Sequence, residues 1–209
     1  VCRRFRDLYG DATKDKKEKH TTYIYSIASE AALQTYLEDQ YIVFHNSQNR
    51  ETSMIGARCG RTDWVERGGV FNESTCHAAA LGGQLRILKW LRDRYCSWDI
   101  QTCEGAASNG HLEVLKWARG EGCEWNSITC EEAACNGHLE VLQWARVEGC
   151  EWNRFTCYWA SKNGHLEVLK WAISERCPYD EHDFERHITD PNFHEWFGEY
   201  KANNLNRSD

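Results

Sequence analysis

Four consecutive stretches of this chain repeat one another, and a fixed period restricts the fold more than any local preference does. They read TCHAAALGGQLRILKWLRDRYCSWDIQ from Thr75, TCEGAASNGHLEVLKWARGEGCEWNSI from Thr102, TCEEAACNGHLEVLQWARVEGCEWNRF from Thr129 and TCYWASKNGHLEVLKWAISERCPYDEH from Thr156. They align without a gap at a spacing of 27 residues. So short a unit cannot bury an apolar face alone, and neighbouring units must cover one another.

Each unit reads as two short helices. Asp99, Asn126 and Asn153 recur just before the first helix, where a side-chain oxygen can accept from free backbone N–H groups. Cys103, Ala106 and Ala107 then fall at i, i+3 and i+4, a narrow stripe of small side chains that lets a neighbouring helix come close. Asn109-Gly110 ends that helix, with Gly110 free to turn left-handed. In the second helix Leu112, Val114, Leu115, Trp117 and Ala118 spread over roughly 220° of the wheel, which demands cover on two sides. Gly122 closes it, and Cys123 stands where a Schellman motif places an apolar contact.

The block NGHLEVLKWARGEGCEWN resembles the second half of the ankyrin repeat, over residues 75–180. That resemblance implies an all-α solenoid of stacked helix-turn-helix (ankyrin-like) repeats which binds other proteins through its concave face and has no catalytic activity and no cofactor. The unit departs from the usual one of about 33 residues: Thr-Cys replaces the usual helix start, and the missing residues fall between Asn126 and the next helix. The β-turn finger is therefore expected to shrink to a tight turn, and finger-mediated binding is not carried over.

The flanks fit more loosely. Residues 21–72 read as two degenerate repeats, since ASEAALQTYLE (Ala28–Glu38) and ARCGRTDWVERGG (Ala57–Gly69) align with ASNGHLEVLKW. Residues 183–209 contain FHEWFGEYK, a capping helix, followed by the polar tail NNLNRSD. The opening VCRRFRDLY resembles the last helix of an F-box, the module that docks onto the adaptor of a ubiquitin ligase. That resemblance covers nine residues and implies an alternative role, the substrate-recognition part of a ligase receptor. Because the chain starts on Val rather than Met, it is expected to be part of something longer.

Charge narrows the partner class. The chain carries −7, and residues 1–20 are locally +3, leaving −10 on the rest. Nucleic acid is therefore not the expected partner, and the basic run reads as a solvated linker, with a phosphate-binding tail as the alternative. No apolar run is long enough to span a membrane. The protein is expected to be a monomer that works in the reducing cytoplasm, the nucleus being the alternative, because eight of its eleven cysteines follow the repeat rather than a disulfide framework.

Two cysteine columns, Cys76/103/130/157 and Cys96/123/150/177, invite a metal. Equivalent positions in stacked units lie about 8–10 Å apart, too far for a shared ion or a disulfide. They are expected to be packed and reduced, a Cys-rich metal-binding protein being the alternative; Cys135 stands outside the pattern and is expected nearer the surface. His111, His138 and His165 suit a turn-stabilising hydrogen bond, and the tryptophans suit packing between units. No phosphate-binding or nucleophile motif is present.

Function should lie where the units differ. The differing slots include His77, Glu104, Glu131, Glu132, Tyr158, Trp159 and Lys162, on the polar side of the first helix. An acidic middle with an aromatic edge suits a basic or arginine-bearing peptide, Trp159 being expected at the surface; the alternative is that these are solvated residues without a role.

Overall fold

The computed structural model of the protein describes residues 50–205. The basic segment 1–20 with its F-box-like stretch, and the first degenerate repeat around residues 28–38, lie outside the described residues.

Among the described residues all regular structure is helical, in six consecutive pairs. These are α1 (Arg50–Cys59) with α2 (Thr62–Gly68), α3 (Glu73–Leu81) with α4 (Leu85–Arg92), α5 (Ile100–Ser108) with α6 (Leu112–Gly120), α7 (Ser127–Cys135) with α8 (Leu139–Val147), α9 (Arg154–Lys162) with α10 (Leu166–Ser174), and α11 (Glu181–His187) with α12 (Pro191–Leu205). The pairs follow one another in chain order, the first helix of each packing on the first helix of the next. No described helix is long and apolar enough to cross a membrane.

Local rules account for the repeating boundaries. Each first helix of the regular units starts on a side-chain cap: Asp99 accepts from Gln101 N, Asn126 from Ile128 N and Asn153 from Phe155 N, at 2.8–3.0 Å. Each ends at a left-handed glycine, with Gly83, Gly110, Gly137 and Gly164 at φ 68–79°. The residue after that glycine donates its N–H to the carbonyl five back, as in His111 to Ala106 (2.8 Å) and His138 to Ala133 (2.9 Å). The α1/α2 pair keeps the same hinge, with Gly60 at φ 76° and Arg61 N bonded to Gly56 O at 2.8 Å. Second helices close as Schellman motifs, in which Cys123 N reaches Ala118 O and Cys150 N reaches Ala145 O, both at 2.9 Å. Only Glu121–Asn126 joins α6 to α7, so no finger intervenes there.

Packing divides between the two helices of a pair. First helices bury Cys103, Ala106, Ala107 and their equivalents completely, and these short side chains permit the close approach of one unit to the next. Second helices supply the bulk through Val114, Leu115, Ala118 and the half-buried Trp117. Trp98 packs edge-on against Trp117, Trp125 against Trp144 and Trp152 against Trp171, each at 5.7 Å between centroids. Arg92, Arg119 and Arg146 cover Trp98, Trp125 and Trp152 at 4.1–4.2 Å, so the tryptophans tie successive units together.

The C-terminal end closes with more structure than FHEWFGEYK suggested. Helix α11 precedes it, and Phe184, Phe193 and Phe197 form a buried aromatic cap. Tyr200 donates to Ile173 O at 2.9 Å, and α12 runs on through Leu205, making part of the expected tail helical.

Candidate functional site

The histidine column binds units together rather than stabilising its own turn. His111 Nε2 donates to Leu81 O (3.1 Å), His138 Nε2 to Ser108 O (3.2 Å) and His165 Nε2 to Cys135 O (3.1 Å), each thirty residues back in the preceding unit. The acceptor is a carbonyl in every case, so the ring nitrogen carries the proton. Burial holds the imidazoles of His111 and His138 below their ordinary range.

The differing slots are similarly occupied at the seams. His77 Nδ1 donates to Gln101 O at 2.6 Å, and burial lowers its pKa. Glu131 accepts from Asn153 Nδ2 at 3.1 Å and from Ser127 Oγ at 3.4 Å, and it is only 3% exposed. Tyr158 meets the His187 ring edge-on at 5.4 Å. Three of the four equivalent slots (77, 131 and 158) thus reach the next pair, and Glu104 is half-buried.

Two exposure expectations are corrected. Trp159 is buried, at 9% exposure, with Cys135 beside it in a small cluster apart from the main core. Cys135 is itself 3% exposed, because α9 brings Trp159 and Asn163 over it, and Asn163 Nδ2 donates to its carbonyl at 2.9 Å. Lys162, one turn beyond Tyr158, donates to the Tyr158 hydroxyl at 2.9 Å and stands 4.8 Å from the Trp159 ring centroid. The aromatic corner is therefore already filled by the chain's own cation. Of the differing slots on the first-helix face, His77, Leu81, Glu104, Ser108, Glu132, Tyr158 and Lys162 remain partly open.

The cysteine columns depart from the spacing expectation. Cys76 Sγ donates to Cys96 Sγ at 3.4 Å, and the equivalent thiols Cys103–Cys123, Cys130–Cys150 and Cys157–Cys177 interact as pairs. Distances between equivalent positions of neighbouring units do not govern this contact. The antiparallel helix pair folds its end back onto its own beginning, and there the two columns meet. Among the described residues no three His, Cys, Asp or Glu side chains cluster as a metal would need.

The fold and these contacts define a class: an all-helical repeat protein whose recurring residues are consumed in holding units together. The chain matches no protein-family model and no curated protein.

Proposed function

We propose that this protein is a non-enzymatic interaction module which binds a partner protein or peptide, with the first-helix face as the binding surface. One observation carries the reading. The recurring Cys and Ala positions and the Leu88, Leu115, Leu142 and Leu169 column are buried, whereas the partly open positions on the first-helix face are largely those where the units differ. Close packing between first helices, with bulky side chains on the second, supports a stack that curves toward the first-helix side, as ankyrin-like stacks do. Glu104 and Glu132 favour a basic partner, with Tyr158 as an apolar rim.

The test removes charge on that face while keeping side-chain shape. A variant carrying Glu104→Gln and Glu132→Gln is compared with the unaltered chain in affinity capture from cell extract, Glu131, Tyr158 and Trp159 being left in place because each packs against a neighbouring helix. The reading expects an unchanged thermal melt and loss of salt-sensitive partners. Identical captured sets would place recognition elsewhere.

A further inference from the structure

Eight cysteines, two per unit, make one contact four times over. The first-column thiol sits in the opening turns of the first helix and the second-column thiol just after the second helix, 20 residues later. In the first unit the Cys76 thiol donates to Cys96 Sγ at 3.4 Å, and the equivalent thiols of the other three units interact as pairs. The second sulfur also faces a backbone carbonyl of the capping residue: Cys96 that of Asn72 (3.4 Å), Cys123 that of Asp99 (3.3 Å), Cys150 that of Asn126 (3.2 Å) and Cys177 that of Asn153 (3.5 Å). Packing alone asks only for small apolar side chains here, as Ala106 and Ala107 provide in the same helix. Sulfurs already in contact need only a small further approach to bond.

We propose that each of these four thiol pairs is an oxidisable dithiol, closed to a disulfide within its own unit by a small hydroperoxide. The second-column cysteine is the attacking group. Its sulfur accepts the neighbour's S–H, and in three units an arginine lies close by, since Arg92, Arg119 and Arg146 donate to the carbonyls of Cys96, Cys123 and Cys150. The hydrogen bond from the partner thiol, aided by the arginine, holds Cys96, Cys123 and Cys150 below the ordinary thiol range despite burial. The partners Cys76, Cys103 and Cys130 are held well above it, first by that hydrogen bond and then by burial.

The reaction balances in two steps. The Cys123 thiolate attacks a peroxide oxygen and the O–O bond breaks, leaving Cys123–SOH and an alkoxide or hydroxide that takes up the thiol's proton. The Cys103 sulfur then attacks the sulfenic sulfur. The S–S bond forms, and hydroxide departs as water with the Cys103 proton. Two thiols lose two electrons, and the peroxide is reduced to alcohol and water.

The fourth unit is a built-in contrast. Where the others carry Arg92, Arg119 and Arg146 it has Ile173, fully buried, so no arginine stands at that helix position beside Cys157–Cys177; Arg176, next to Cys177 in the chain, makes no bond to the Cys177 carbonyl like those of the other three. The folded full chain is treated with hydrogen peroxide, quenched over time with an alkylating agent and mapped by non-reducing peptide mass spectrometry. The expected products are linked Cys76–Cys96, Cys103–Cys123 and Cys130–Cys150, each forming several-fold faster than Cys157–Cys177. Arg92→Gln, with its fold checked by thermal melt, slows Cys76–Cys96 several-fold and leaves Cys130–Cys150 as an internal reference. Thiols that react only after denaturant unfolds the chain, links between different units, or a Cys157–Cys177 link that forms as fast as the rest would each overturn the proposal.

Discussion

At the residue scale, the hinge glycines serve two demands that a side chain meets differently. Gly110 and Gly122 are both left-handed, at φ 74° and 82°. A Cβ on Gly110 would stand 2.7 Å from His138 Nδ1, whereas a Cβ on Gly122 meets nothing within 4 Å. Gly122→Ala is therefore expected to cost about 1–2 kcal/mol, the left-handed penalty alone, and Gly110→Ala distinctly more, because it also displaces a ring hydrogen-bonded to Ser108 O. Urea unfolding of the two variants checks the order. The histidines add a pH dependence. Burial keeps His77, His111 and His138 below the ordinary 6.5, so as pH falls the unfolded chain takes up protons before the folded one does. Stability is expected to be full above about pH 6.5 and to fall progressively below it. Urea midpoints at neutral and mildly acidic pH measure this, and His138→Gln should reduce the slope.

At the element scale, the first helices carry a column of completely buried threonines with two different fates. Thr75 Oγ1 donates to Val70 O at 2.9 Å, while the hydroxyls of Thr102, Thr129 and Thr156 have no hydrogen-bond partner. A valine of nearly the same shape removes an unmet polar group at the last three positions and a working bond at the first. Thr102→Val, Thr129→Val and Thr156→Val are expected to be neutral or stabilising by up to about 1 kcal/mol each, and Thr75→Val destabilising by about 1 kcal/mol. Thermal melts of the four single variants decide it. This scale also shows what the sequence made legible. Caps at Asp99, Asn126 and Asn153, left-handed turns at Gly110 and Gly122, and the apolar stripe at Cys103, Ala106 and Ala107 follow from local chemistry that repeats with the period. Contacts made only when a pair folds back, or when one unit meets the next, were not legible. Cys76 meets Cys96 because the hairpin closes, and Glu131 is buried because Asn153 of the next unit reaches it. Trp159 reads as a surface anchor in its own helix, but it lies against Cys135 of the preceding one.

At the scale of the whole molecule, every joint between regular units uses the same three contacts: histidine to the preceding carbonyl, tryptophan on tryptophan, and small first-helix side chains against one another. Nothing in such a joint depends on how many units the stack holds, and stability becomes a sum over units and their interfaces. The ends differ because one face has no neighbour, which is why Phe184, Phe193 and Phe197 gather beyond α10. The direct test is to delete residues 102–128, one whole unit. Gln101 then runs into Thr129, Trp98 meets Trp144 in place of Trp117, and His138 takes the Leu81 carbonyl from His111. The shortened chain is expected still to unfold cooperatively, with unchanged helicity per residue and a lower urea midpoint, whereas deleting 102–121 breaks the register and abolishes the fold. A whole-unit deletion that leaves the chain unfolded would contradict a stack held together by neighbour contacts alone.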